Sequence, residues 1–531
     1  MQVCKIPFDQ IPQFSARDVA YYHEDPRLRP FYKYPARMEA FADVLADKSK
    51  AETPRALLAE ILTEQYASID HPEPALEQIR KLLSPNTFTL ITAHQPSLFT
   101  GPLYYVLKII STINLARELS TQYPDYQFVP VFVTGGEDHD FEEVNHLHLF
   151  NKTLTWESGE TGSVGMMRTE SIRPVLEELK TILGDSPNAQ KAFALLERAH
   201  QKHDRYADAT IELVHGLFGK SGLVVANMSH PELKKTFVPV MLSEILDQVS
   251  HPIVQQTIEQ LNEAGFEAQA NPREINFFYL LPQKRERIVF EDGVFKVLNT
   301  DLTFAPDVMR AEIENHPERF SPNVIMRPLY QESVFPNLAY IGGGGEIAYW
   351  LERKAQFEHF GINFPMLIRR NSAMWIDRGL CKKMNKFGLT VRDLAGDEEA
   401  LIKNYVRENA AGELSLNDEK AALHAIFEQI AQKAQVTDPT LVSRVWAEHA
   451  KQLKSLESVE SRLIRAEKQK QEVAINQIRG VREKLFPGNG LQERRENFLT
   501  FYVRYGEAFF DALMAHLHPL EKGLVVFKDC D

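Results

Sequence analysis

One short passage limits the architecture of this chain more than any other. Residues 88–93 form an apolar run of strand character that breaks at His94-Gln95-Pro96 and gives way to helical spacing. Tyr105, Ile109, Thr112, Ile113 and Ala116 recur at that spacing, as they do along one face of a helix. Thr100 reads as the N-cap, with Gly101-Pro102 opening a helix expected over 102–120. After Tyr123-Pro124 a second apolar run, 128–134, reads as another strand. Strand, helix and strand in that order imply parallel pairing through a right-handed crossover. In an open sheet of this kind ligands enter at the carboxyl ends of the strands. The amino ends of the next helices line the same mouth, which suits an anion.

Composition narrows the class. At 531 residues the chain is long enough for about three domains, or for one large α/β core with insertions. An apolar content of 44% with 10% aromatics supplies a core of ordinary globular size. The net charge of −13 argues against a general nucleic-acid binder, which carries a basic footprint. No run approaches the roughly 18 apolar residues of a membrane-spanning helix, so no membrane partner is expected. Cys4, Cys381 and Cys530 are too few and too scattered for a disulfide framework or a zinc cluster, and no metal site is expected. The first residues, Met-Gln-Val-Cys-Lys-Ile-Pro-Phe, lack a cationic stretch followed by an apolar core. The expected location is the cytoplasm.

Textures along the chain suggest eight segments. Residues 1–85 are helical and aromatic-rich and join the core. Residues 86–145 make the first half of an α/β core, with an insertion over 146–205. The core continues over 206–263, and a second, β-rich insertion covers 264–300. Residues 301–415 complete the core, with strands near 339–342 and 366–369. Gly219-Lys220-Ser221 follows a helix rather than opening one, so it reads as a C-terminal cap turn and not a phosphate loop. A coiled coil occupies 416–490. There Leu456, Val459, Leu463, Ala466, Lys470 and Val473 are spaced 3-4-3-4-3, and Ile478, Val481 and Leu485 resume after a skip. The shorter helical run 417–434 is placed to pair with it as a hairpin. Residues 491–531 return to the core.

Four clusters fall where strands end. His94, Gln95, Ser97 and Thr100 follow the first strand, with Lys108 nearby. Glu137, Asp138, His139 and Asp140 follow the second, and such a run resists burial unless paired. It suits Mg²⁺, a substrate amine, or general-base work. The glycine run 342–345 precedes Glu346, and its glycines let backbone N–H groups approach a ligand. Arg327 and the pair Arg369-Arg370 complete the set, and arginine suits carboxylate or phosphate. Beyond the coiled coil, Gly490-Leu-Gln-Glu-Arg-Arg-Glu-Asn-Phe498 opens a helix with polar residues, either as a cap or as part of a second ligand pocket.

With these segments in view, the chain resembles the bacillithiol synthase family. The resemblance lies in Leu98-Phe-Thr-Gly-Pro-Leu103, in Gly136-Glu-Asp-His-Asp-Phe-Glu-Glu-Val-Asn145, and in Ser321-Pro-Asn-Val with Arg327-Pro-Leu. It continues in Ala339-Tyr-Ile-Gly-Gly, Gly345-Glu-Ile-Ala-Tyr-Trp350 and Gly490-Leu-Gln-Glu-Arg494. The family usually has glutamine where His94 stands and proline where Gly344 stands.

The resemblance implies a nucleotidyltransferase-like Rossmann core, two inserted connective segments, and a coiled coil that can make a homodimer, the alternative being a seam that packs on its own shorter helix. It implies a ligase that joins cysteine to the amine of glucosaminyl-malate through an amide, the last step of bacillithiol biosynthesis. ATP or ADP is the implied cofactor, with Mg²⁺ on its phosphates. His94, Gln95, Ser97, Thr100, Gly343, Gly345 and Glu346 would hold the activated intermediate. Glu137, Asp138, His139 and Asp140 would take the amine's proton or hold its ammonium. Arg327 and Arg369 would pair with the malate carboxylates. Nucleotide contacts would come from the core mouth or from Trp375, Lys383, Gln492, Glu493, Arg494 and Asn497. Two other readings remain beside it: a nucleotidyltransferase for another small substrate, and a non-catalytic nucleotide-binding scaffold held together by the coiled coil.

Overall fold

The computed structural model describes residues 1–410 and 414–530. At its centre lies a parallel sheet of five strands: β1 (Thr87–His94), β2 (Gln127–Thr134), β3 (Val224–Asn227), β4 (Asn337–Gly342) and β5 (Met366–Arg369). Their spatial order is β5-β4-β1-β2-β3, so the chain reverses direction across the sheet between β1 and β4. That reversal is the switch point at which such sheets bind ligands. Every residue of β1 except His94 is buried. Burial on both faces of the sheet is why the strand reads as continuously apolar instead of alternating.

The helix after β1, α1 (Tyr104–Gln122), starts later than Thr100. Residues 98–100 make a single 3-10 turn, and Phe99, Thr100 and Gly101 all have positive φ. Thr100 is therefore not the N-cap; its side chain is buried and its hydroxyl finds no partner among the described residues. Two non-glycine residues in the left-handed region need outside support. Asn497 provides it, its amide donating to the carbonyls of Phe99 and Gly101 at 3.0 and 2.5 Å.

Gly219–Ser221 forms a 3-10 turn closed by Gly222 at φ 80°, a helix end as expected. The first insertion holds a hairpin, His146–Leu149 with Lys152–Thr155. Two helices follow it, Arg173–Leu183 and Pro187–Lys202; the second was not apparent from the sequence. The second insertion is an antiparallel sheet that recruits Phe320–Pro322 as an edge strand, so it closes beyond residue 300. Beyond β5 the chain enters a separate three-stranded sheet, in which Leu524–Lys528 lies between Gln2–Ile6 and Ser372–Ile376. Cys381 and Cys530 form a disulfide beside it, a pairing that the scattered cysteines did not suggest.

The coiled coil folds as a hairpin of α2 (Asn417–Thr437) and α3 (Val442–Lys470), followed by α4 (Glu472–Leu485). The long helix is thus interrupted at Gln471, next to the skip in the apolar spacing. Ile478, Val481 and Leu485 are buried, and Val481 and Leu485 pack on Met374, Ile376 and Leu380. Val459, Leu463 and Val473 remain exposed. The seam therefore serves two surfaces, one inside the chain and one open.

Candidate functional site

A crevice runs along the carboxyl ends of β1, β2 and β4. Its larger chamber, about 930 Å³, lies between the acid run after β2 and the β-rich insertion. A smaller chamber of about 420 Å³ lies over the glycine turn and is walled by His94, Tyr104, Glu346, Arg370 and Arg494. Gln95, Asp138, Glu143, Val324 and Arg327 line both chambers. A side pocket of about 380 Å³ opens past Ser97, His146 and Arg494.

The glycine turn organises the small chamber. Glu346 reaches back to accept from the Gly343 N–H at 2.8 Å, capping the short helix Gly344–Leu351. The same carboxylate accepts from Lys108 Nζ at 2.8 Å and Tyr340 Oη at 2.6 Å. Burial pushes the Glu346 carboxyl up, but Lys108 and the hydrogen bonds outweigh it and hold the group below the usual range. It stays ionised and fully engaged. Lys108, itself without exposed surface, also donates to the Ala93 carbonyl. Gly344 lies close against the N-terminal region: a β-carbon there would sit 2.5 Å from Asp18 Oδ2, so a larger residue requires that carboxylate to shift. Gly345 has open space instead.

His94 is held in its neutral form. Burial and the neighbouring Lys108 push its pKa down to about 4, so the ring is neutral near pH 7. Its Nδ1 lies 3.0 Å from the Gln95 carbonyl, which only accepts, and its Nε2 lies 3.1 Å from Tyr104 Oη. The ring therefore donates from Nδ1 and accepts the Tyr104 hydroxyl. Burial pushes the Tyr104 phenol up to about 12, which keeps that donor protonated.

The acid run is held from all sides. Glu137 forms an ion pair of 2.5 Å with Lys234, which has no exposed surface. Asp138 Oδ1 accepts the backbone N–H groups of His139 and Asp140, and Oδ2 accepts Gln95 Nε2 at 3.0 Å. Burial raises the Asp138 carboxyl, but Arg285, Arg327 and these bonds overcome it and hold it below the usual range. Arg285 Nη1 donates to His139 Nδ1 at 3.0 Å, and its guanidinium stacks 4.0 Å over Phe278. Asp140 caps the short helix Phe141–Val144.

The predicted residues divide accordingly. His94, Gln95, Arg327, Gly343, Gly345 and Glu346 gather in the small chamber, with Asp138 on the shared wall and Glu137, His139 and Asp140 in the large one. Ser97 lines the side pocket. Arg369 faces away: its guanidinium grips Asp18 at 3.0 and 3.1 Å and lies over Phe8 and Phe14. Its neighbour Arg370 takes the crevice position, paired with Glu493 at 2.8 Å.

In the returning segment, Gln492 clamps the Trp375 backbone, Glu493 holds Arg370 and Ala373, and Asn497 pins the left-handed turn. These three are buried ties that deliver Arg494 to the crevice, where it lies 6.0 Å over the Tyr104 ring. Trp375 is buried and stacked on Phe527, and Lys383 is exposed on the helix Arg378–Phe387. Neither lines the crevice. Sequence reasoning missed Tyr104, Glu143, Lys234 and Arg285. Only Glu143 carried a local signal, lying one helical turn after Asp140.

The arrangement offers two ligand chambers that meet at a wall of one amide, two carboxylates and one arginine. Comparison with known proteins agrees with this architecture. Residues 1–371 match the family model described as the N-terminal Rossmann-like domain of bacillithiol biosynthesis BshC, and residues 373–528 match its C-terminal coiled-coil domain. A BshC protein of Flavobacterium johnsoniae is 41% identical over 510 residues, covering 96% of each chain. One from Flavobacterium psychrophilum is 39% identical over 526 residues, covering 98% of this chain and 99% of that protein. One from Christiangramia forsetii is 38% identical, covering 98% of each. The chain belongs to the BshC family of bacillithiol biosynthesis.

Proposed function

We propose that the chain is a ligase that joins the carboxylate of cysteine to the amine of glucosaminyl-malate, closing bacillithiol biosynthesis. The relatives carry a provisional name as cysteine ligases. The observation that carries the reading is the pair of chambers meeting at Gln95, Asp138, Glu143 and Arg327. Two substrates held on either side of one wall meet at their reacting ends, which removes much of the entropic barrier to joining them. The larger chamber suits the sugar–malate conjugate, and the smaller suits the amino acid.

An amine does not displace hydroxide from a carboxylate at useful rates in water, so the carboxylate needs an activating group. A nucleotide of the ATP class would supply it, as a phosphate-bearing leaving group on the carboxylate. The donor set fits a phosphate: Arg494 has no carboxylate partner among the described residues and lines both the small chamber and the side pocket, and Arg370 stands beside it. Arg494 and Arg370 would hold that group, and Arg327 would hold a substrate carboxylate at the shared wall. Glu137 and Asp138 are already paired and leave no free carboxylate couple for Mg²⁺, which would arrive on the phosphates. The neutral His94 keeps the Tyr104 hydroxyl oriented along the chamber wall.

The test is to incubate the protein with cysteine and glucosaminyl-malate, adding ATP, ADP or no nucleotide. Product mass and nucleotide hydrolysis are followed together. The expected result is an amide of the summed mass less water, dependent on one nucleotide. No amide under any of the three conditions would overturn the reading.

A further inference from the structure

Resting on the ligase reading, we infer that Glu143 is the group that takes the proton from the attacking amine. Two carboxylates, Asp138 and Glu143, stand on the wall shared by the chambers. Asp138 is saturated: two backbone N–H groups and the Gln95 amide donate to it, and Arg285 lies 3.7 Å away. A carboxylate so engaged is a poor proton acceptor. Glu137 is tied to the buried Lys234, and Asp140, which caps a short helix through one oxygen, lines the large chamber but not the small one. His139 is also excluded. Arg285 only donates, so His139 Nδ1 is occupied as an acceptor.

Glu143 differs from all of these. It is exposed and lines the large chamber, the small chamber and the side pocket alike. Its one side-chain partner among the described residues is Gln95 Nε2, which donates to Oε2 at 3.0 Å. Oε1 is open. The two amide hydrogens of Gln95 are divided between Asp138 and Glu143. The reverse amide orientation would set its oxygen against two carboxylates, so the placement is fixed by charge. Gln95 thus acts as a positioning residue that aims Glu143 at the meeting point of the chambers.

In the step, the amine nitrogen attacks the carbonyl carbon of the cysteine–phosphate mixed anhydride and forms the C–N bond. The bond from that carbon to the bridging oxygen breaks, and the phosphate-bearing group leaves with the electron pair. The proton shed by nitrogen passes to Glu143 Oε1 and from there to solvent, which the exposed side chain meets directly.

The experiment measures amide formation by the full-length protein from pH 5.5 to 9.5 for wild type, Glu143→Gln and Glu143→Ala, with melting temperatures recorded alongside. Removing a general base predicts a fall in kcat of about 100-fold or more in both variants, with KM within about threefold. Added formate should restore the Ala variant about tenfold by entering the vacated space. Activity within threefold of wild type, a loss carried by KM, or no restoration by formate would overturn the assignment. Absence of amide from the wild-type protein would instead bring down the ligase reading and this inference with it.

Discussion

Lys108 Nζ and the Glu346 carboxylate meet at 2.8 Å, and they join the helix after β1 to the helix after the glycine turn. The lysine has no exposed surface, while the carboxylate is about one-quarter exposed to the crevice. Removing one partner of such a pair strands the other charge, at a cost of about 3 kcal/mol. Lys108→Met should therefore lower the urea midpoint sharply, and adding Glu346→Gln should recover most of the loss. Equal midpoints for wild type and Lys108→Met would show that the pair does not hold the mouth together.

His94 predicts a stability effect rather than a catalytic one. Its pKa falls from the usual 6.5 to about 4 in the folded chain, so the unfolded chain binds more protons between those values. The stability it supports is present above pH 6.5 and is lost as pH falls towards 4, amounting to about 3 kcal/mol for 2.5 units. His94→Gln should flatten the fall in stability over that window and leave the activity profile from pH 7 to 9 unchanged in shape. A wild-type melting curve that does not move between pH 6.5 and 4.5 would contradict the buried neutral ring.

Arg369 and Arg494 should separate structure from ligand binding. Arg369→Ala leaves Asp18 without its guanidinium in a buried site, and should cost about 3 kcal/mol in stability. Arg494 has no ion-pair partner among the described residues to lose, so Arg494→Ala should melt like wild type. Its kcat/KM should fall by about 30-fold, the loss expected for one charge-assisted contact worth ~2 kcal/mol. If Arg494→Ala keeps full activity while Arg369→Ala folds normally and loses it, the crevice arginine has been misassigned.

The sheet was legible because parallel strands buried on both faces write unbroken apolar runs, and residues 366–369 were bounded to the residue. Thr100 misled because a good capping residue before Gly-Pro looks the same whether or not a helix starts there. Its left-handed turn is imposed by Asn497, almost 400 residues away. Arg369 and Arg370 are adjacent in sequence and point oppositely by the alternation of an extended chain; Asp18 decides which one faces the crevice. Arg285 arrives from an inserted sheet on a strand that offers nothing local to mark it. The large-chamber roof is a tertiary property, formed where Thr161 Oγ1 donates to the Gln283 carbonyl across two insertions.

The open half of the coiled-coil seam predicts self-association. Val459 is 46% exposed and Leu463 41%, while Ile426 and Ile430 on the partner helix of the hairpin are 55% and 42% exposed. Apolar residues repeated along a solvent-facing helix cost free energy unless another surface covers them. The inner side of the same helix is already committed, since Glu460 bonds Lys420 at 2.7 Å and lies 3.6 Å from Arg407. We therefore expect a homodimer through this hairpin, with light scattering giving twice the 60.8 kDa chain mass at micromolar concentration. Val459→Glu with Leu463→Glu should shift the protein to monomer without lowering its melting temperature at high dilution, because neither side chain belongs to a hydrophobic core cluster among the described residues. A wild-type protein that scatters as a monomer at 10 times that concentration would leave the exposed seam without a second copy of the chain to cover it.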